Sequence, residues 1–380
     1  MKSLKIGIVC YPTYGGSGVV ATELGIGLAK KGHHVHFITY KQPFRLDNFH
    51  PNVSYHEVSF ENYALFENPP YETALSSRIV DVVKHEKLDI LHVHYAIPHA
   101  SAAYMAQQIL KADGIFIPFI TTLHGTDITL VGKDHSFLPV VNFSINNSNG
   151  ISAVSESLKV DTLSNFQIQK EIKVIPNFID FERFSKKERN HFRKLVANDD
   201  EKILIHISNF RKVKRVEDVA RMFELVLKKI PAKLLMVGDG PERHKAEELT
   251  RSLGVCAHVK FIGKQEAVED LLSISDLFVL PSQTESFGLA ALEAMACEVP
   301  VISSNSGGIP EINIQGKTGF LSPVGDYEDM AKNAIYILEN EERMLQFKKN
   351  AFEKAQEFHI DKILPMYENF YYEMTTIDKF

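Results

Sequence analysis

Short runs of apolar residues alternate with longer stretches of helical periodicity through the first half of the chain. The runs that predict buried strands lie at 4–10, 35–40, 89–94, 118–124 and 150–155. After the first run, "GVVATELGIGLAKKG" (18–32) has a helical pattern and ends in two lysines and a glycine, which are favoured at helix C-termini. The alternation of strand and helix predicts a parallel sheet covered on both faces.

The same pattern begins again after residue 175, with strands predicted at 202–208, 233–240, 258–263, 276–281 and 300–304. The turn-forming segment "VIPNFIDFERF" (174–184) separates the two halves. We therefore predict the α/β fold class, with two doubly wound Rossmann-like domains and an interdomain cleft where ligands bind. The domains are expected at 1–174 and 175–362. The aromatic helix at 363–380 is expected to pack back on the N-terminal domain.

Composition excludes several classes of protein. The 380 residues carry a net charge of -6, which disfavours a general nucleic-acid binder. The three cysteines are far apart and form no zinc or redox spacing, which is typical of a reducing compartment. Neither a signal peptide nor an apolar stretch long enough for a membrane helix is evident, so we expect a soluble cytoplasmic protein. The basic run at 183–194 is interpreted as a solvated helix face, and membrane association is not expected.

A glycine-rich loop, "YPTYGGSG", follows the first predicted strand. Gly15, Gly16 and Gly18 are expected to precede a helix whose first N–H groups favour an anion. The stretch also fits a dinucleotide fingerprint. That motif requires an acidic residue at the end of the next strand, where Tyr40 and Lys41 stand instead. A nicotinamide dinucleotide is therefore disfavoured, and a turn that binds no ligand remains an alternative.

Cations follow the first strand of the second half, in "ISNFRKVKRVED". Arg211 and Lys214 are the candidates for a diphosphate, because a guanidinium binds two oxygens and an ammonium adds a point charge. A solvated charge run is the alternative. The later loop "VGDGPE" suits close approach of a base or ribose.

Two glutamates, eight positions apart, complete the candidate site. Glu285 lies in the loop after a strand, and Glu293 lies inside the helix that begins near Gly288. Carboxylates beside a phosphate are unfavourable unless they accept hydrogen bonds from hydroxyls, which sugars and ribose supply. The arrangement therefore favours a sugar joined to a nucleoside through phosphates.

The chain resembles glycosyltransferase family 4. The resemblance rests on Glu285 and Glu293 in E-x7-E spacing and on "GGSG", "VIPNFIDFERF", "VGDGPE", "FIGKQ" and "SSNSGGIPEI". It covers nearly the whole chain and implies a retaining, nucleotide-sugar-dependent transferase of the two-domain GT-B type, with an acceptor domain followed by a nucleotide-sugar domain. "CYPTYGGSGVVATELG", "LHVHYAIPHA" and "TTLHGTDITLVGKD" resemble the members that transfer N-acetylglucosamine from UDP-N-acetylglucosamine to the hydroxyl of L-malate, the first step of bacillithiol biosynthesis.

The resemblance also implies roles for individual residues. Glu293 is expected to hold the ribose hydroxyls, and Glu285 the donor-sugar hydroxyls. Arg211 and Lys214 are expected to hold the diphosphate, and His124 to face the donor sugar. The catalytic candidates are therefore His124, Glu285, Arg211 and Lys214. The donor-binding candidates are Gly16, Ser17, Asn209, Gly240, Phe287, Gly288, Leu289 and Glu293. One departure is that many members place the arginine directly after a glycine and five residues before the lysine, whereas Arg211 follows Phe210.

The implied mechanism needs neither a cofactor nor a metal. The acceptor attacks on the face from which UDP leaves, and the departing phosphate oxygen takes its proton. The sequence has no D-x-D triplet, and His92, His94 and His99 lack a matching zinc-ligand pattern, so we predict no metal site.

The acceptor candidates are Tyr95, Thr122 and Asn142, each of which also fits a hydrogen-bonding role at the edge of the core. Three alternatives stay open: another small or lipid acceptor, a UDP-sugar-binding regulator without catalysis, and a UDP-sugar epimerase. The sequence leaves the oligomeric state open, a homo-oligomer included.

Overall fold

The computed structural model describes residues 2–13, 15–46, 49–59, 70–132, 134–187 and 190–376. The chain forms two compact units. Unit 1 comprises Met1–Asn177 together with Ile360–Phe380, and unit 2 comprises Phe178–His359. The domain boundaries given above, at 174/175 and 362/363, remain a prediction. Within the described residues, no helix combines the length and the apolar character that crossing a membrane requires.

Unit 1 is built on a parallel sheet. In its described part the sheet has seven strands in the order β3-β2-β1-β4-β5-β6-β7. The strands are β1 (Lys5–Val9), β2 (His34–Thr39), β3 (Val53–Glu57), β4 (Ile90–His94), β5 (Phe119–Leu123), β6 (Gly150–Ala153) and β7 (Ile172–Val174). The first helices of the unit are α1 (Gly16–Lys30), α2 (Tyr71–Glu86), α3 (Ser101–Ala112), α4 (Leu138–Asn147) and α5 (Glu156–Asn165). Strands β4, β5 and β6 are fully buried, as expected for a sheet covered on both faces.

Unit 2 repeats this architecture with a parallel sheet of its own. Its described part has six strands in the order β10-β9-β8-β11-β12-β13. The strands are β8 (Lys202–Ile207), β9 (Ala232–Val237), β10 (Val259–Gly263), β11 (Leu277–Leu280), β12 (Val301–Ser304) and β13 (Gly319–Ser322). The helices are α6 (Asn190–Lys194), α7 (Val216–Leu227), α8 (Arg243–Ser252), α9 (Val268–Ser273), α10 (Leu289–Ala296), α11 (Ile309–Ile312), α12 (Tyr327–Leu338) and α13 (Glu341–Ala355).

The chain returns to unit 1 in its last helix, α14 (Ile360–Thr376). The Tyr371 hydroxyl lies 2.8 Å from Nδ1 of His92 on β4. Glu368 pairs with Lys31 and His33 at distances of 2.5 and 3.1 Å. A Cβ on Gly150 of β6 would stand 2.5 Å from the Phe370 ring, so α14 packs directly on this sheet.

The alternating α/β pattern predicted from the sequence is confirmed, with three strands added. β3 was not predicted, because its sequence, VSYHE, is partly exposed and mostly polar and so lacks the apolar run of a buried strand. β7 and β13 are short, at three and four residues. One further detail was wrong: α1 begins at Gly16, so Gly16 and Gly18 lie in its first turn instead of preceding it.

Candidate functional site

Unit 2 places four loops at the carboxyl edge of its sheet, after β8, β9, β11 and β12. Glycines allow these loops to touch. A Cβ on Gly240 would stand 2.1 Å from the Asn209 carbonyl oxygen, and one on Gly307 would stand 2.0 Å from the Glu285 carbonyl oxygen. The N–H of Gly308 donates to that same oxygen at 2.8 Å. The backbones are therefore so close that a larger side chain at these glycines would separate them.

An ion pair connects the loop after β8 with the loop after β11. The Lys214 ammonium lies 2.5 Å from Oε1 of Glu285, and the Ser282 hydroxyl donates to the same oxygen at 2.8 Å. The Lys214 and Glu285 side chains are 20% and 14% exposed. Because both are partly shielded from water, a ligand that approaches either one meets a charge already held in place.

Arg211 differs from Lys214. Its side chain is exposed, as is that of Asn209, and no ion pair of Arg211 occurs within the part of the chain that the structure describes. Nearby, the Arg215 guanidinium is bound to Asp218 at 2.6 Å. The loop therefore presents one unneutralised guanidinium beside the Lys214–Glu285 pair, as an anion site requires.

The donor-binding candidates around α10 are largely buried. Gly288 precedes the helix with φ of +94°, a conformation that glycine adopts without strain. Phe287 is buried and its ring packs edge-on against Phe358 at 5.6 Å. Leu289 is the first residue of α10, and Glu293 is buried within it. Glu293 also helps to raise the pKa of Cys297 to about 12, although burial of the thiol is the larger cause.

Unit 1 gathers histidines at the ends of β4 and β5. His92 and His94 lie on one face of β4, as predicted, with ring centroids 4.3 Å apart. His94 Nδ1 lies 2.7 Å from His124 Nε2. Burial lowers the pKa of His124 to about 3 and that of His94 well below its ordinary value. Both imidazoles are therefore neutral near pH 7, and His124 is not a permanent cation.

Tyr95 and Ser17 belong to the same cluster. The Tyr95 hydroxyl lies 2.7 Å from the Ser17 hydroxyl, and the Tyr95 ring stands 5.3 Å from that of His124. Gly16 is adjacent to Ser17 at the start of α1. The structure thus brings together Ser17, predicted to contact the donor, Tyr95, predicted to contact the acceptor, and His124.

Thr122 and Asn142, predicted as acceptor ligands, both take part in hydrogen bonds within unit 1, the alternative role given above. Thr122 is fully buried, and its hydroxyl is bonded at 2.7 Å both to His92 Nε2 and to the Ser152 hydroxyl. The Asn142 amide accepts from the Gln167 N–H at 2.8 Å and donates to the Leu138 carbonyl at 3.2 Å. Both residues serve the internal hydrogen bonding of unit 1.

Sequence reasoning missed Asp127 and Ser282. Asp127 is buried and accepts from the N–H groups of Ala96 and Gly125, each at 3.0 Å. Burial raises its pKa to about 6, although the backbone hydrogen bonds oppose this shift. Asp127 therefore holds the loop that carries His124, much as Ser282 holds Glu285. Asp127 and Ser282 each follow a predicted strand within a few residues. That position could have identified them as candidate site residues.

Comparisons with known families and proteins give a consistent result. A model described as Glycosyltransferase Family 4 matches residues 14–183, and one described as Glycosyl transferases group 1 matches residues 187–354. The chain is 48% identical over 378 residues to N-acetyl-alpha-D-glucosaminyl L-malate synthase from Bacillus anthracis, covering 99% of this chain and 98% of that protein. It is 30% identical to an uncharacterized glycosyltransferase from Methanocaldococcus jannaschii, covering 81% of this chain and 82% of that protein.

Solved structures share the fold at lower identity. Sucrose-phosphate synthase from Thermosynechococcus elongatus has a TM-score of 0.84 at 21% identity, covering 99% of this chain and all 100% of that one. Anabaena HepE, in complex with UDP and glucose, has a TM-score of 0.82 at 19% identity, covering 97% of this chain and 99% of that one. These likenesses extend over both units.

Proposed function

The chain belongs to glycosyltransferase family 4 and has its GT-B fold, and from this premise we propose that it transfers N-acetylglucosamine from UDP-N-acetylglucosamine to the hydroxyl of L-malate. The family resemblance predicted from the motifs is confirmed, and the chain is a glycosyltransferase. The choice of sugar and acceptor rests on the 48% identity to a synthase of that product. The reaction would open bacillithiol biosynthesis. The proposed location remains the cytoplasm, in agreement with three free cysteines.

The observation that carries the proposal is the pairing of charges on the unit 2 loops. Arg211 is exposed without an ion pair in the described structure, and Lys214 stands beside it, bound to Glu285. A sugar diphosphate carries both chemical types that such a set recognises, since cations bind its phosphate oxygens and a carboxylate accepts from its hydroxyls. Free phosphate would satisfy the cations alone and would bring Glu285 no hydroxyl beyond that of Ser282.

The proposed roles follow from these charges. Arg211 and Lys214 stabilise the negative charge that develops on the departing UDP, which is the principal electrostatic demand of the reaction. Glu285 orients the donor sugar through its hydroxyls, and Glu293 holds the ribose. Asn209, Gly240 and the 287–289 backbone complete the donor site. Retention follows when malate attacks on the side from which UDP departs and the leaving phosphate oxygen takes the malate proton.

His124 is proposed to act as a neutral hydrogen-bond donor. His94 Nε2 is buried and lacks a hydrogen-bond partner in the described structure. A bare lone pair there costs less than an unsatisfied N–H, so the proton of His94 belongs on Nδ1, where it is donated to His124 Nε2. His124 must then carry its own proton on Nδ1. That N–H is the group we propose to contact a substrate oxygen, with Ser17 and Tyr95 near it.

Acceptor dependence of UDP release tests the proposal. Purified protein is incubated with UDP-N-acetylglucosamine alone, with L-malate, with D-malate, and with a glycerolipid acceptor, and UDP is quantified by chromatography. We expect UDP to appear in proportion to L-malate consumed. UDP release with the lipid and not with L-malate would identify a different acceptor. Conversion of the donor without any acceptor would identify an epimerase or hydrolase, and binding without turnover a regulator.

A further inference from the structure

Three side chains of types that can bind a metal ion converge at the outer edge of the unit 1 sheet. His36 lies on β2, His56 on the edge strand β3, and Glu86 is the last residue of α2. His36 Nδ1 and His56 Nε2 are 3.0 Å apart, and their rings stack with an interplanar angle of 20°. One ligand atom from each of the three residues lies within 4.8 Å of the others.

This spacing is close to the one that a bound ion imposes. Two ligands on one tetrahedral zinc, each at about 2.1 Å from the metal, are about 3.4 Å apart. The imidazole nitrogens therefore need to separate by only a few tenths of an ångström. The Glu86 carboxylate sits at a helix end and is half-buried, so a change of side-chain rotamer brings it to the ion. A water molecule would fill the fourth position.

The surroundings keep the two imidazoles available as ligands. Burial lowers the pKa of His36 to about 4 and also lowers that of His56, so both are neutral near pH 7. Their facing nitrogens share a hydrogen bond, and its proton must move to the other nitrogen of the same ring when the ion binds. The negative charge of Glu86 raises the pKa of both histidines, and that of Asp81 raises the pKa of His56, so these carboxylates oppose the effect of burial. Lys5, His34 and Arg78 are the neighbouring positive or protonatable groups. The cluster thus combines two neutral nitrogen ligands with nearby carboxylates that favour a cation.

We propose that His36, His56 and Glu86 form a binding site for a divalent transition metal ion, with Zn²⁺ the best match to two imidazoles and one carboxylate. The site is separate from the histidines of β4 and β5, because β1 lies between β2 and β4 in the sheet. The ion joins β2, β3 and the end of α2, so its role is to stabilise this edge. This proposal differs from the sequence-based prediction of no metal site, because the three ligands lie on separate elements with no characteristic spacing.

The test uses the full-length protein after treatment with a chelator and dialysis. ZnCl₂ and CoCl₂ are titrated by calorimetry into the wild type, Glu86→Gln and His56→Asn. His34→Asn is the matched control, since it removes an exposed neighbouring histidine of β2 that is not a ligand. We expect one site in the wild type and in the control, with affinity reduced at least about tenfold in each ligand variant. Zinc at about 100 times its dissociation constant should raise the melting temperature of the wild type by about 5–10 °C.

Two results would overturn the proposal. One is a wild type that takes up no stoichiometric zinc or cobalt. The other is equal affinity in the wild type and Glu86→Gln, which would assign the bound metal to other residues. Because Glu86→Gln keeps the size of a half-buried side chain at a helix end, misfolding is not expected to obscure the comparison. Transferase activity before and after chelation is expected to be equal, since the ion takes no part in the reaction.

Discussion

Replacing Glu285 by glutamine should strengthen the binding of UDP while slowing sugar transfer. In the structure Lys214 is held by Glu285 at 2.5 Å, so UDP must compete with a carboxylate for the ammonium and approach a negative charge. Glutamine removes that competitor without changing the size of the side chain. UDP lacks the donor-sugar hydroxyls from which Glu285 is proposed to accept hydrogen bonds. No contact of that kind therefore offsets the repulsion between the carboxylate and UDP.

The magnitude follows from the exposure of the pair. Two unit charges about 4 Å apart interact by about 4 kcal/mol at an effective dielectric constant of about 20. With side chains 20% and 14% exposed, solvent screening reduces the net cost of the competition to about 1–2 kcal/mol. UDP should therefore bind about 5–30 times more tightly to Glu285→Gln. Turnover with UDP-N-acetylglucosamine should fall by about 10²–10³, the usual effect of losing one contact that strengthens in the transition state.

Calorimetry with UDP at fixed ionic strength, combined with steady-state rates, separates these effects. Lys214→Met should weaken UDP binding. In that background Glu285→Gln should tighten UDP binding by a smaller factor than in the wild type, because the carboxylate still repels UDP but no ammonium remains to be freed. Raising the salt concentration should reduce the gain of Glu285→Gln. Unchanged or weaker UDP binding in Glu285→Gln would refute the competition between ligand and carboxylate.

Three further predictions concern other parts of the molecule. Glu293→Ala should weaken UDP binding by calorimetry, whereas His124→Ala should lower kcat more than UDP affinity; unchanged kinetics in both would remove these assignments. Gly307→Ala should lower kcat/KM at least about tenfold, since its φ is +59° and a Cβ there meets the Glu285 carbonyl at 2.0 Å; wild-type rates would show that this loop packing is dispensable. Glu368→Gln should destabilise unit 1 by about 1–2 kcal/mol in urea unfolding at pH 7, after discounting for an exposed Lys31 partner. Burial alone would raise the pKa of Glu368, but hydrogen bonds from Lys31 and His33 lower it, so this stabilisation is full above the unfolded pKa of about 4.3 and is lost as pH falls through the folded value. An equal difference between wild type and variant at pH 7 and well below pH 4 would contradict the shift.

Much of the fold was predictable because buried parallel strands are nearly continuous apolar runs. The runs at β1, β4 and β8 need no tertiary information to be recognised. β3 was not recognisable in the same way, because an edge strand with polar, partly exposed residues lacks that pattern. Its register beside β2 is fixed by pairings such as Ile38 with His56, which only the folded chain reveals.

In the candidate site, too, features of local sequence were predictable and contacts between distant residues were not. Glu285 and Glu293 were identifiable because a loop and the helix after it hold them at a fixed local spacing. The pairing of Lys214 with Glu285 depends on residues 71 positions apart, and no local pattern encodes it. The same holds for Thr122: its place near a strand end is visible in the sequence, but its bonds to His92 and Ser152 are not.

The configuration of the product tests the proposed retaining transfer to malate. Purified protein is incubated with UDP-N-acetylglucosamine and L-malate, and the product is examined by mass spectrometry and by the proton coupling at its anomeric carbon. We expect one N-acetylglucosamine joined through the malate hydroxyl in the α configuration, with one UDP released for each product formed. A β-linked product, or a donor that remains unchanged with L-malate present, would contradict it.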